Sequence, residues 1–196
     1  MRSWSRAEST RGAAAALGLC LFLIPAADAW CASPALDYSV RHVDTRLEDE
    51  TWLLDAGLDL EPNSESREAL ESGVPITVLL EVQVTRERVF RDERVRDMRL
   101  RYRIKKHALS KRYMVTCAVS GKTRTYGALE DASASAGTIR GLALIRDADL
   151  IPDHRYRVRL RARVDIDALP SPLRPLAWLG SLWRVRDDWY SWILTQ

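Results

Sequence analysis

Histidine and cysteine, the side chains that most often hold metals or act as nucleophiles, number only three each in this 196-residue chain. His42, His107 and His154 stand far apart, and none falls in a zinc spacing such as H-x-x-x-H. His42 and Asp44 are two residues apart on an expected strand and so share a face, but one pair does not make a metal site. Ser110 and Ser120 lack the glycine-flanked turn of a nucleophile elbow. Gly121-Lys122-Thr123 resembles the end of a phosphate loop without its earlier glycine. Carboxylates are plentiful but scattered. No catalytic residue, metal or cofactor is therefore expected. Internal repeats and low-complexity linkers are also missing. So is any apolar run beyond Ala27 that is long enough to cross a bilayer.

What is present begins with the N-terminus. Arg2, Arg6 and Arg11 precede a small-and-apolar run from Ala13 to Ala27, broken only by Pro25 and closed by Ala27-Asp28-Ala29. A basic segment, a short apolar segment and an A-x-A site define a secretory signal peptide over residues 1–29. The apolar run is about 15 residues, short of the roughly 20 that a helical span requires. Cys20 follows Leu19 and Cys31 follows Trp30, so neither has the small preceding residue that lipid attachment needs. The expected product is an exported, periplasmic, non-lipidated protein with no span after cleavage. It forms one domain over residues 30–196 and includes an aromatic C-terminal segment, 170–196.

Without residues 1–29 the chain carries 27 basic and 25 acidic residues, nearly in balance, and no nucleic-acid partner is expected. It keeps Cys31 and Cys117. Export permits a disulfide between them, but Cys31 lies where chains fray and Cys117 reads as a small buried apolar residue.

Alternation with a period of two dominates the rest. Trp52, Leu54, Ala56, Leu58 and Leu60 share one face. So do Ile76, Val78, Leu80, Val82 and Val84, against Thr77, Glu81, Gln83 and Thr85. Met98 to Ile104, Tyr113 to Val119 and Tyr156 to Ile166 repeat the pattern, with a fainter first strand at Tyr38 and Val40. These are half-buried strands of sheets with one wet face. Asn63-Ser64 caps a short helix over Glu65–Ser72, stopped by Gly73 and Pro75. A second helix is expected over Gly127–Ala136, then a strand over Gly141–Leu150 and a turn over Ile151–His154. Six to eight strands and two short helices predict a mainly β, two-sheet sandwich. An immunoglobulin-like arrangement is one such sandwich, although its cysteine–tryptophan–cysteine core is absent.

Two surfaces stand out. Arg155, Arg157, Arg159, Arg161 and Arg163 occupy every second position of the last long strand, and Arg99, Arg101, Arg103 and Lys105 do the same on another. If those strands were neighbours, nine cations would share a face and call for an anion: lipid headgroups, lipopolysaccharide phosphates or an acidic protein segment. If they are not, each comb pairs with acids such as Glu81, Glu87, Asp97 or Asp59, and guards against aggregation. The second surface is the tail. After a proline-stiffened stretch come Trp178, Trp183, Trp189, Tyr190 and Trp192, either an interfacial belt or rings that fold back and plug the core. Arg184, Arg186, Asp187 and Asp188 divide this tail into a hairpin-like pair, Trp183–Val185 and Trp189–Ile193.

Three segments together resemble a known family: Tyr102-Arg103-Ile104-Lys105-Lys106-His107-Ala108-Leu109-Ser110-Lys111-Arg112-Tyr113, Leu169-Pro170-Ser171-Pro172-Leu173-Arg174-Pro175, and Trp183-Arg184-Val185-Arg186-Asp187-Asp188-Trp189-Tyr190. The chain from about Ala35 to Leu194 is similar to the DUF4390 family of exported Gram-negative proteins. The resemblance brings no catalytic residues. It implies an envelope location and a link to a membrane sensor kinase. The expected function is a non-catalytic binding or adaptor module whose partner is an envelope protein or anionic lipid. The alternatives are a structural part in envelope assembly, or an enzyme acting on peptidoglycan or lipid.

Overall fold

The computed structural model describes residues 35–171 and 188–194. Two antiparallel sheets face one another. The smaller has the order β1-β2-β7, from β1 (Leu36–Glu48), β2 (Thr51–Pro62) and β7 (Thr138–Arg146). The larger has the order β6-β5-β4-β3-β8-β9, from β3 (Ile76–Arg86), β4 (Glu93–Lys106), β5 (Tyr113–Cys117), β6 (Thr123–Tyr126), β8 (Tyr156–Val164) and β9 (Tyr190–Leu194). The mainly β, two-sheet class is as the alternation predicts; the division into three and six strands is this chain's own.

The core lies between the sheets. Trp52, Leu54, Ala56, Leu58 and Leu60 of β2 meet the inward row Val78, Leu80, Val82 and Val84 of β3 and Val158, Leu160 and Ala162 of β8. Fully burying side chains of this size contributes about 1.5–3 kcal/mol each, which makes this face the main source of stability. The edge strand β1 changes phase at a bulge between Val40 and His42. Val40 and Val43 both face inward as a result, while His42 and Asp44 face out, sharing a face as expected. The His42 ring lies over Gly57, where a Cβ would stand 2.3 Å from the imidazole Cε1.

Helix α1 (Ser64–Glu71) is capped by Asn63, whose Oδ1 accepts from the Ser66 amide at 2.8 Å. It ends at Gly73, which takes a positive φ of 81°. It covers the passage from β2 to β3. Three strands cannot cover six spaced about 4.8 Å apart, so one end of the larger sheet needs another lid. Helix α2 (Leu129–Ala136) supplies it, packing on β2, β4, β5 and β6 through Leu129, Ala132 and Ala136. Gly137 lets the end of α2 close on β2. Its carbonyl accepts from the Leu58 amide at 2.9 Å, and a Cβ there would lie 2.3 Å from the Leu58 carbonyl oxygen.

Some strands run longer than alternation suggested, while β5 and β8 stop two residues short of it. β1 has 13 residues and β4 has 14, and β7 begins three residues before Gly141 and stops at Arg146. The short β6 was not foreseen. Nor was the burial of β3 on both faces, from Ile76 through Arg86. Among the described residues no helix is long and apolar enough to cross a membrane. The expected signal peptide and Cys31 lie outside the described residues.

Candidate functional site

β4 and β8 are not neighbours. Both pair with β3, one on each side, so the two arginine rows share the outer face of the larger sheet with one strand between them. Glu81 of β3 registers with Arg99 on one side and Arg161 on the other. Glu81 is only 2% exposed. Arg161 Nε donates to its Oε2 at 2.5 Å, Arg163 Nε donates to the same oxygen at 3.1 Å, and Arg99 Nε lies 3.5 Å from Oε1. Burial pushes the Glu81 carboxyl up, but the hydrogen bonds from Arg163 and Arg161 outweigh it and hold the group below its ordinary value. Two like-charged rows directly opposite would repel; the acid between them turns repulsion into a charge-assisted network.

The remaining teeth of the combs divide. Arg101 binds Asp165 at 2.8 Å, and Arg157 pairs with Glu87. Asp97 serves Arg94 and Arg99, both at 3.7 Å, while Asp59 serves Arg41, outside either comb. Arg103, Lys105, Arg155 and Arg159 make no ion pair among the described residues. Five of the nine teeth thus meet acids, while Arg159, in the middle of its row, meets the Trp189 ring instead.

The tail splits its aromatic groups between two faces. β9 adds to β8 with Trp192 opposite Val158 and Leu194 opposite Tyr156. Leu194 is buried and Trp192 packs at the margin of the core. Tyr190 is largely exposed, its ring centroid 5.8 Å from that of Trp192. Trp189 takes the other side. Its ring lies 4.3 Å from the Arg161 guanidinium carbon and 4.8 Å from that of Arg159. Trp178 and Trp183 lie outside the described residues. A half-buried ring on two guanidinium groups is worth less than a core ring. Trp189→Ala is therefore expected to cost about 1–2 kcal/mol, rather than the about 3–5 kcal/mol of a core aromatic truncation; urea denaturation measures it.

A surface the alternation did not mark is the tip of the β3–β4 hairpin. Val89 and Phe90 are 94% and 100% exposed, between Arg88 and Arg91. Arg91 and Arg96 make no ion pair among the described residues. The register of Arg86 with Tyr156, and the Glu87 amide donating to the Arg155 carbonyl at 2.9 Å, bring the 151–155 turn to the same end. Exposed Ile151 and Arg155, which makes no ion pair among the described residues, join the tip there. The Asp147 amide donating to the Glu50 carbonyl adds the β1–β2 turn and exposed Leu47. The sequence signal was present, two adjacent apolar residues inside a basic turn, but no strand or helix period draws attention to it.

The second unforeseen feature is an open cleft of about 560 Å³ where α2 bridges the uncovered end of the larger sheet. Lys122 and Arg124 reach it from the β5–β6 hairpin and Arg140 from β7. The segment Gly121-Lys122-Thr123 is thus a hairpin turn, with Gly121 at a φ of +66°, and not a phosphate loop. Cys117 lines this cleft and is half-exposed, which corrects its reading as a buried core residue: the strand end it occupies has no second sheet above it. Burial pushes its thiol up, but hydrogen bonding from Ser120 and from the Val119 amide outweighs this and sets it below its ordinary value.

Among the described residues no three metal-ligating groups converge. The Ser110 hydroxyl and His107 Nδ1 lie 3.2 Å apart in an exposed turn. No carboxylate bonds that ring among the described residues, so the pair lacks the orienting group of a nucleophilic triad.

No curated protein and no solved structure matches the chain. One family model, described as Domain of unknown function (DUF4390), matches residues 35–193, all of the two-sheet fold but its last residue, Leu194; the chain belongs to that family.

Proposed function

We propose that the chain is an exported, non-catalytic binding module of the cell envelope, which docks through the β3–β4 hairpin end onto an anionic membrane surface. Export rests on the basic segment, apolar run and A-x-A site at the N-terminus. The observation that carries the docking is the exposure of Val89 and Phe90 at the tip of a hairpin whose first strand is wholly buried. A bare phenylalanine gains about 1.5–3 kcal/mol on leaving water. Arginines around it add attraction for lipid phosphates and can lay their stems along the same apolar surface. An adaptor serving a membrane sensor kinase would meet its partner at that same bilayer surface. The arginine rows, bridged across Glu81, then act chiefly as the rigid base of the hairpin, with Arg155 at its edge.

Flotation of the exported protein with vesicles tests this. The protein is expected to float with phosphatidylglycerol–phosphatidylethanolamine vesicles, less so at high salt, and poorly with phosphatidylcholine. V89D together with F90D should lower anionic-vesicle binding at least about tenfold, the loss of a buried aromatic anchor, while thermal unfolding is unchanged. Equal binding to neutral vesicles, or binding that survives the double substitution, would overturn the reading. Loss of an in-cell cross-link to a membrane protein in the same double variant, without vesicle binding, would move the dock from lipid to protein.

A further inference from the structure

Elsewhere among the described residues most buried polar groups find partners, Arg86 Nε, Ser133 Oγ and Trp192 Nε1 being exceptions. The arginine rows meet Glu81, Glu87, Asp97 and Asp165. Three tyrosines do likewise: the Tyr38 hydroxyl donates to the Asp188 carbonyl at 2.6 Å, Tyr113 to Glu71, and Tyr156 accepts from the Ile151 amide at 2.9 Å; in the cleft beside α2, Tyr126 donates to Ser135 Oγ at 2.5 Å. The cations of that cleft and its Tyr102 stand without such partners among the described residues. Lys122, Arg124 and Arg140 all line it, and none makes an ion pair among the described residues. The Tyr102 hydroxyl also faces it with no hydrogen-bond partner there, and burial pushes that hydroxyl's pKa up. Asp131 is the one acid of the lining, so the site keeps a net charge of about +2 from three cations and one carboxylate.

We propose that this cleft is a binding site for a compact organic anion, a carboxylate or phosphate held by Lys122, Arg124 and Arg140, with its apolar body against Tyr102, Val115 and Ala134. The volume, about 560 Å³, is within the usual range of small-ligand sites. Guanidinium groups bind either headgroup bidentately, and the free phenolic hydroxyl supplies a further donor. The register explains how the site forms. Tyr102 lies opposite Cys117 and Val115 opposite Arg124, so the inward row of β4–β6, which elsewhere meets the second sheet, here meets a ligand space. The flanking strand edges argue against an added peptide strand. β6 has only four residues, and the β7 edge is kinked at Gly141, with a φ of +57°, beside a register shift against β2. Short and bulged edges resist strand pairing. The site lies apart from the hairpin tip and does not depend on membrane docking.

The test uses the full chain with Cys20→Ser and Cys31→Ser, so that Cys117 is its one thiol and reports occupancy through its rate of alkylation. Phenyl phosphate and benzoate are the probes, and benzyl alcohol is the neutral control. At least one anion is expected to shift the amides of Cys117, Arg124 and Arg140 saturably and to slow alkylation. A stronger response to phenyl phosphate identifies a phosphate site, and one to benzoate a carboxylate site. Arg124→Gln with Arg140→Gln should weaken that binding at least about tenfold, as the loss of a charge-assisted contact does, with thermal unfolding unchanged. No saturable response to either anion, an equal response to benzyl alcohol, or affinity that survives the double substitution would overturn the assignment.

Discussion

Glu81→Ala is expected to cost about 3–5 kcal/mol, the usual cost of removing one partner from a buried charge network. The carboxylate is 2% exposed and meets Arg161, Arg163 and Arg99. Its loss leaves cations on both flanking strands facing each other across β3 with nothing between them. The comparison with Glu81→Gln separates charge from shape, since the amide keeps an acceptor in place but no longer neutralises the arginines. The same network sets a pH dependence. The folded-state pKa of Glu81 lies below its ordinary value of 4.5. Its contribution is therefore fully present above about pH 4.5 and is lost as pH falls through the lower, folded value. Urea denaturation at pH 7 and at steps below pH 4.5 should show stability falling more steeply in the parent than in Glu81→Gln. Glu71, Glu93 and Asp149 are also held low, chiefly by hydrogen bonds from Lys106, Arg86 and Arg146, and Glu130 by its own backbone amide and then Arg67. They are common to both proteins, so the difference between the two curves belongs to Glu81. Parallel curves would mean that the arginine rows are held apart without it.

How much of this was legible in the chain follows from where its contacts are made. The inward rows of β2, β3 and β8 could be read as alternation, because an apolar row against a polar one is a local pattern. The cap at Asn63 and the stop at Gly73 are local too. The order of strands is not. Nothing within residues 99–105 or 155–163 says that β3 comes between them, so the sharing of one face by two arginine rows, and their bridging by Glu81, appear only once the sheet is assembled. β6 escaped for a different reason. Its outward Thr123 and Thr125 are polar, as on any wet face, but its inward Arg124 also faces an open cleft, so no apolar row was left to see. The cleft cations were hidden for the same reason. A charged residue on a short segment reads as loop until the absence of a second sheet above it is known. The tail resisted a single reading because alternation sends its tryptophans to opposite faces, Trp192 to the core and Trp189 to the arginines.

Leu79 gives the sharpest test of that difference between local pattern and assembled sheet. It shares its face with Thr77, Glu81, Gln83 and Thr85, the outer row of β3, where period-two reasoning places solvent. On that reasoning Leu79→Ala would cost a few tenths of a kcal/mol, as exposed substitutions do. In the fold Leu79 is 2% exposed. Arg101 and Arg163 register with it on either side. The turn after β8 crosses the same end of β3, with the Asp165 amide donating to the Thr77 carbonyl at 2.8 Å. Long arginine stems held in place by ion pairs can cover apolar surface as well as an opposing sheet does. Leu79→Ala is therefore expected to cost about 2–4 kcal/mol, a core value for a residue on the outer face. The cover depends on the pairing of Arg101 with Asp165 and of Arg163 with Glu81. The cost of Leu79→Ala should accordingly shrink in a Glu81→Gln background, and a double-mutant cycle by urea denaturation measures that coupling. Additive costs would show that the outer face is covered without the ion pairs. A coupling of about 0.5 kcal/mol or more would show that charge on this face maintains a second, smaller apolar layer.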